Sequence, residues 1–183
     1  IQDDKTAFKW YTLAAEQGIA KARYNLGIMY ENGRGVPQDH KAAFKWYTLG
    51  AEQGLASAQF NLGFMYNNGK GVLQDDKEAV KWYKLAADQG DSTGQKNLGV
   101  MYEFGKGVQQ DYGKAADWHK KAAQQGHSES QTILGGLYEN GKGVEVDFTE
   151  AVYWHKKAAE QGDTKAQLNL GDFYKNGIGI SED

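Results

Sequence analysis

The sequence predicts an all-α fold, an α-α superhelix (right-handed solenoid) of antiparallel helix pairs with a 36-residue repeat. Glycines, Leu-Gly pairs and tyrosines recur with this period, and a Gly-x-Gly loop closes each copy. The chain has 24 glycines and a single proline, as expected where glycine holds fixed structural positions. The tryptophans show the period directly, each 36 residues after the last: Trp10, Trp46, Trp82, Trp118 and Trp154.

The first helix of the pattern is shown by DHKAAFKWYTLGAEQ, residues 39–53. Asp39 is placed to accept backbone N–H bonds as an N-cap, and Gly54 to end the helix in a left-handed conformation. The helix has two apolar strips, and the rest of its surface is polar. One strip is Ala43, Trp46 and Gly50; the other is Phe44, Tyr47 and Ala51. A helix with two apolar strips packs between two neighbours.

The second helix is predicted over about 56–68, with Ala58, Leu62 and Met65 on its core face. Gly63 lies in mid-helix, where glycine costs ~1 kcal/mol relative to alanine. A glycine there in every copy indicates that a side chain, which we expect to be a tryptophan, presses onto the bare backbone. The glycines of the 69–72 loop then allow a turn into the next helix, and the loop is predicted to be a hinge.

Composition excludes several classes of function. The net charge of -3 gives no electrostatic footprint for nucleic acid, and no apolar run approaches the ~20 residues needed to span a membrane. The absence of cysteine excludes disulfides, thiolate metal sites and a cysteine nucleophile. The opening IQDDKTAFKW lacks an initiator methionine and a signal-peptide pattern, which is compatible with a trimmed piece of a longer protein. Cytoplasm, periplasm and secretion are all compatible with these features.

Two motifs resemble a known family. Ala-x-x-Trp-Tyr-x-x-Ala-Ala-x-x-Gly at 79–90 and Leu-Gly-x-x-Tyr-x-x-Gly-x-Gly-Val-x-x-Asp at 98–111 are similar to the Sel-one-like repeat (SLR), a relative of the tetratricopeptide repeat. The resemblance covers the whole chain. It implies a protein–protein interaction scaffold or adaptor that docks peptides on the concave face, which is lined by the Leu-Gly-x-x-Tyr helix, called helix A.

By the family's convention we expect one repeat domain over 1–183. It consists of a helix B half repeat at 1–19, full repeats at 20–55, 56–91, 92–127 and 128–163, and a helix A half repeat at 164–183. The chain departs from the pattern at His119 and His155, which replace the tyrosine after tryptophan, and at the doubled glycine 135–136. We therefore expect repeats 92–127 and 128–163 to be the least stable.

No pattern in the chain supports catalysis or a cofactor. Gly69-Lys70-Gly71 invites a phosphate-binding interpretation, but no predicted strand precedes it, no Ser or Thr follows it, and its lysine is not kept in every copy. The histidines lack metal-ligand spacing, so His119 and His155 are expected to replace tyrosine in packing, with a metal or pH-dependent role as the alternative. No serine lies in a nucleophile elbow. We therefore predict no catalytic residue, no metal site and no cofactor.

The positions of helix A opposite its core leucine vary between copies, and they are the predicted binding stripe. Exposed aromatic side chains in a groove are typical binding anchors. The alternative for Tyr24, Phe60 and Phe64 is packing against helix A of the next repeat. The predicted apolar anchors are Tyr24, Ile28, Phe60, Phe64 and Phe104, with Lys21, Lys96, Glu103 and Glu139 setting the orientation of the partner.

The leading hypothesis is thus a non-enzymatic scaffold that binds a peptide or protein segment, without nucleic acid or membrane insertion. Two alternatives stay open. One is a hydrolase acting on cell-wall or β-lactam-type substrates, which no nucleophile–base pair supports. The other is a structural array that self-associates end to end through exposed terminal faces.

Overall fold

The structure is a computed structural model that describes residues 3–179, and the described part consists of ten α-helices of 13 residues each. Residues 1–2 and 180–183 of the predicted half repeats lie outside the described residues. The helices are α1 (Asp4–Glu16), α2 (Ala20–Asn32), α3 (His40–Glu52), α4 (Ala56–Asn68), α5 (Asp76–Asp88), α6 (Ser92–Phe104), α7 (Tyr112–Gln124), α8 (Ser128–Asn140), α9 (Phe148–Glu160) and α10 (Thr164–Asn176).

The chain forms two compact halves, an N-terminal half of Ile1–Asp91 and a C-terminal half of Ser92–Asp183. The N-terminal half contains α1 to α5 and the C-terminal half α6 to α10. Within each half, every helix packs against the next one along the chain. Each half is therefore a layer of alternating helices A and B.

The helices begin where the sequence predicts. Asp39 Oδ1 accepts hydrogen bonds from the backbone amides of Lys41 at 2.9 Å and Ala42 at 3.0 Å. These bonds satisfy amides that have no partner inside the helix. The other helices B are capped in the same way, by Asp3, Asp75, Asp111 and Asp147.

The helices also end at the predicted glycines. Gly54 follows α3 with a φ of +85°, and its amide donates to the carbonyl of Ala51 at 2.9 Å. Each helix B of the described chain is followed by such a glycine at the equivalent position. The left-handed conformation, which glycine adopts without steric cost, reverses the chain into the following helix A.

The Gly-x-Gly loop, which is predicted to be a hinge, also makes a packing contact. The amide of Lys70 donates to the carbonyl of Met65 at 3.0 Å, which closes the end of α4. Gly71, with a φ of +71°, lies so close to the start of α3 that a Cβ there would overlap the carbonyl oxygen of His40. The same contact joins Gly35 to Asp4, and Gly143 to Tyr112. The second glycine therefore allows the loop to pack on the preceding helix B.

The glycine inside helix A is covered by an aromatic ring, but the prediction that this ring is a tryptophan is wrong. A Cβ on Gly63 would lie 2.8 Å from Cδ1 of Tyr83, the residue after the tryptophan. Since successive residues of a helix are turned by about 100°, Trp82 points away from the contact made by Tyr83. The other contacts of this kind are Gly27 with Tyr47, Gly99 with His119, and Gly135 with His155.

The apolar strip predicted to contain Trp46 and its equivalents is only partly buried at the tryptophans. Only Trp154 is buried, whereas Trp10 is 62% exposed. The others are half-buried: Trp46 and Trp82 pack against the core clusters, and the ammonium of Lys121 lies 3.9 Å from the ring centroid of Trp118. The centre of the core consists of small and aliphatic side chains and of buried rings such as Tyr47.

Candidate interaction surface

The predicted stripe on the helices A is accessible along its length. None of its positions is buried, while the leucine opposite it is buried in each of the first four helices A. Each half carries part of the predicted set. Lys21, Tyr24, Ile28, Phe60 and Phe64 lie in the N-terminal half, and Lys96, Glu103, Phe104 and Glu139 lie in the C-terminal half.

The first patch lies on α2, above Tyr47 of α3. The ring of Tyr24 packs at 6.0 Å from that of Tyr47, and the ammonium of Lys21 lies 4.9 Å from the centroid of Tyr24. Ile28 is half-buried against the same cluster. The patch is therefore a supported apolar surface with a cation at its edge, the arrangement expected of a cation–π contact.

The second patch lies on α4, above Tyr83 of α5. Phe60 stacks on Tyr83 with ring centroids 6.0 Å apart and an interplanar angle of 29°. Phe64 lies 6.5 Å from Phe60, and the ammonium of Lys70 lies 5.1 Å from the ring of Phe64. Both phenylalanines are half-buried, so part of each ring stays accessible. Phe60 and Tyr24 thus pack on a helix B tyrosine, a support that neither sequence interpretation included.

Lys70, the lysine of the Gly-x-Gly loop, lies against an aromatic ring of the stripe. The ammonium of Lys70 faces the ring of Phe64, and its amide is already bonded to Met65.

Among the described residues, no three His, Cys, Asp or Glu side chains are grouped to hold a metal ion. No helix in the described range is both long and apolar enough to cross a membrane.

In the C-terminal half, a histidine takes the place of the tyrosine. His119 is completely buried, and its Nε2 lies 3.9 Å from Oε2 of Glu103. Burial lowers the pKa of His119 to about 4, and the charge of Lys96 acts in the same direction while that of Glu129 opposes it. Burial also raises the pKa of Glu103. A neutral imidazole therefore faces a partly desolvated carboxylate.

The other predicted residues of this half are placed differently. Lys96 is paired with Glu129 at 3.1 Å, and its side chain is only 18% exposed. Phe104 is 63% exposed at the end of α6, where other helices A carry an asparagine bonded to the preceding turn. Glu139 is exposed beside a small cavity of about 90 Å³ that Asn169 also lines. Lys96 is thus already paired with a carboxylate of the same chain, while Phe104 and Glu139 remain accessible.

A chain of glutamines was missed by sequence reasoning. Gln131 Nε2 donates to the carbonyl of Ala123 at 3.0 Å, and its Oε1 accepts from Gln161 Nε2 at 2.8 Å. The same pair of bonds joins Gln59 to Ala51 and to Gln89 in the N-terminal half. The signal was present, because these glutamines follow the 36-residue period. Each links one repeat to the next through buried amides.

Comparison with known proteins identifies the fold. One similar structure is a protective antigen present in uropathogenic Escherichia coli strains that displays an SLR fold. Its sequence is 46% identical and its TM-score is 0.96. The match covers 99% of this chain and 39% of that protein. Another is a Sel1 repeat protein from Oxalobacter formigenes, 40% identical, with a TM-score of 0.87, over 94% of this chain and 50% of that one. The present chain therefore spans half or less of either protein.

Helicobacter pylori cysteine rich protein B is more distant, at 26% identity and a TM-score of 0.59, over 73% of this chain and 96% of that one. A search of the curated proteins found no match. The described helices and these neighbours confirm the predicted all-α helical-repeat class. The family model of the Sel1 repeat matches residues 1–19, 20–55, 56–91, 92–127, 128–163 and 164–183. The chain therefore belongs to the Sel1 repeat family, whose members are generally protein-interaction modules and typically non-enzymatic scaffolds.

Proposed function

We propose that this protein is a non-enzymatic scaffold that binds a peptide or protein segment along the helix A stripe. The observation that carries the proposal is a half-buried aromatic pair, in which Phe60 stacks on Tyr83 and Phe64 lies between Phe60 and Lys70. Rings that are held from below lose little conformational entropy on binding, because packing already restricts their rotamers. Such rings are the residue type that dominates binding energy at protein interfaces.

The neighbouring patch supports the same function. Tyr24 and Ile28 offer a second apolar surface in the same half, supported by Tyr47 and edged by Lys21. Two apolar patches that each carry a cation suit a segment with hydrophobic side chains and acidic groups between them. In the C-terminal half, Phe104 and Glu139 are the accessible members of the proposed set.

The test is a selection of random peptides displayed on phage against the whole chain, followed by affinity measurements on the enriched peptides. Phe60→Ala and Phe64→Ala should each weaken binding by about tenfold or more, which corresponds to ~1.4 kcal/mol. Leu73→Ala is the matched control, because Leu73 is an exposed apolar residue of the same half outside the stripe.

Circular dichroism checks that each variant keeps its helices. Unchanged affinity in both phenylalanine variants, with helicity retained, would contradict the assignment of the binding surface. Loss of binding in Leu73→Ala to the same extent would equally contradict it, because the effect would then not depend on the stripe.

A further inference from the structure

The stripe contains a cavity in the C-terminal half, at the place where its side chains are smallest. Gly136 occupies the position that Ile28, Phe64 and Val100 hold in other repeats, and apart from the adjoining backbone of its own helix nothing lies within 4 Å of where its Cβ would be. The space is a shallow cavity of about 230 Å³ that is open to solvent. Its lining consists of Glu103, Thr132, Ile133, Gly136, Leu137, Asn140 and Lys142.

Glu103 of this lining has a carboxylate without a hydrogen-bond partner among the described residues. Its Oε2 lies 3.9 Å from Nε2 of His119, beyond hydrogen-bond distance. His119 is itself completely buried, and neither of its ring nitrogens has a hydrogen-bond partner in the described structure. In the N-terminal half the equivalent acid, Glu31, accepts a hydrogen bond of 2.7 Å from Tyr47. The exchange of tyrosine for histidine therefore leaves Glu103 without the hydrogen bond that its equivalent Glu31 accepts.

The other polar groups of the lining also offer acceptors. Asn140 Nδ2 donates to the carbonyl of Gly136 at 2.8 Å, so its amide oxygen is left to accept. The hydroxyl of Thr132 donates to the carbonyl of Ser128 at 3.3 Å, so its lone pairs are left in the same way. Lys142 is the cation of the lining: its ammonium lies 5.6 Å from the ring centroid of Tyr112, and its charge favours the ionised carboxylate of Glu103. The cavity thus presents acceptors from three side chains, among them one carboxylate, and suits a ligand that is rich in hydrogen-bond donors.

We propose that this cavity binds an arginine side chain of the partner segment. A planar guanidinium can place two N–H groups on the carboxylate of Glu103 and others on Thr132 and Asn140, whereas an ammonium has no such fork. The aliphatic stem lies along Ile133 and Leu137. A paired carboxylate also regains the stabilisation that burial removes. The inference rests on the proposed function and adds a chemical requirement to the partner.

The direct experiment is NMR titration of the ¹⁵N-labelled chain with N-acetyl-arginine N-methylamide. The matched probes are the citrulline analogue, which is neutral and nearly isosteric, and the lysine analogue. We expect chemical-shift changes centred on the amides of Glu103, Gly136 and Lys142, strongest with arginine. Glu103→Gln should weaken arginine binding at least about tenfold, because a charge-assisted pair is lost. Gly136→Val should abolish it by filling the cavity.

Gly136→Val is expected to fold, because the Cβ position is open. Equal shifts with arginine and citrulline, or an affinity that Glu103→Gln leaves unchanged, would overturn the inference. Peptides from the phage selection separate it from the proposed function. Binding that depends on Phe60 and Phe64 but is unaffected by Glu103→Gln and by replacing each peptide arginine would refute the arginine site alone. A selection that yields no binder would refute the scaffold proposal, whatever the free arginine probe does.

Discussion

The hydroxyl of Tyr47 donates a hydrogen bond of 2.7 Å to Oε2 of Glu31, 16 residues earlier in the chain. The bond joins α3 to the end of α2 above a ring that is itself completely buried against Gly27. In the C-terminal half, His119 covers Gly99 in the same way but stays 3.9 Å from Glu103. Tyr47 and His119, at the same position of helix B, therefore both cover a helix A glycine, but only the tyrosine also hydrogen-bonds the glutamate.

The Tyr47–Glu31 bond should contribute measurably to stability. Tyr47→Phe keeps the ring on Gly27 and removes only the hydroxyl, so we expect the free energy of unfolding to fall by about 1–2 kcal/mol. Urea unfolding followed by circular dichroism measures it. Tyr11→Phe is the control, since Tyr11 is the equivalent residue after Trp10 but is exposed. Equal effects of the two substitutions would show that the bond to Glu31 contributes nothing.

The stability of the chain should fall in mild acid because of His119. Its pKa is about 4 in the folded chain against an ordinary value of 6.5. The unfolded chain therefore binds more protons between these pH values, and the free energy of unfolding decreases as pH falls through this window, by at most roughly 3 kcal/mol from this residue. His155, whose pKa burial also lowers, acts in the same direction, whereas the raised pKa of Glu103 opposes it.

The variant His119→Tyr isolates this contribution. The groups that act on the imidazole are Glu103 and Lys96 on α6, Glu129 on α8 and His127 before it, and all stay in place. We expect the variant to lose less stability than the wild type between about pH 7 and about pH 4.5. Its hydroxyl should also reach Glu103 as that of Tyr47 reaches Glu31. Urea unfolding at both pH values gives the comparison, and parallel losses in the two proteins would contradict the prediction.

Two adjacent glycines should respond in opposite ways to alanine. A Cβ on Gly135 would lie 2.7 Å from Cε1 of His155, with further ring atoms at 2.8 and 2.9 Å. Gly135→Ala should therefore destabilise the chain by about 1–3 kcal/mol. Gly136→Ala meets open space and should stabilise it by up to about 1 kcal/mol, because alanine favours a helix interior. Thermal unfolding of both variants is sufficient, and shifts of the same sign would show that the ring contact is not decisive.

The hydrogen bonds of the glutamines should contribute more to the free energy of unfolding where they are buried. Gln131→Leu removes the bonds to the carbonyl of Ala123 and from the amide of Gln161. Each of these groups keeps a second partner, Gly126 and Lys157 respectively, so we expect a loss of about 1 kcal/mol. Gln167 makes the equivalent bond to Ala159 at 3.2 Å, but its side chain is exposed. Gln167→Leu should therefore change stability by less than about 0.5 kcal/mol. Chemical denaturation ranks the two, and similar losses would contradict the importance of burial.

The expectation that repeats 92–127 and 128–163 are the least stable stays a prediction. Helix α8 runs without interruption through Gly135 and Gly136, so the doubled glycine does not break it. Any lower stability of these repeats would therefore appear as faster local unfolding of their helices and not as a missing helix. Amide hydrogen exchange, resolved helix by helix, measures it.

Much of the fold could be predicted because its signals are local. Asp39 caps a helix through amides two and three residues ahead, and Gly54 ends one through its own backbone conformation. The candidate surface was predictable to a similar degree. Positions opposite Leu62 face away from the core by helix geometry alone, and Phe60 and Phe64 are half-buried there.

Contacts between neighbouring helices were less predictable. Trp82 and Tyr83 are adjacent, and the helical period does not say which of two apolar strips meets the glycine of the next helix. The structure shows that Tyr83 does. The pairing of Lys96 with Glu129, 33 residues apart, was hidden in the same way, and it removed Lys96 from the set of free cations.

The sequence by itself determined the repeat, the bounds of its helices and the accessible face of each helix A, because these depend on residues within a few positions of one another. Only the tertiary structure decided which ring covers each glycine and that the second loop glycine packs on the preceding helix B. It alone also decided that His119 stops short of Glu103 beside the cavity at Gly136. These features depend on distances of a few ångströms between side chains and backbone far apart in the chain, which packing sets and a repeat pattern does not record.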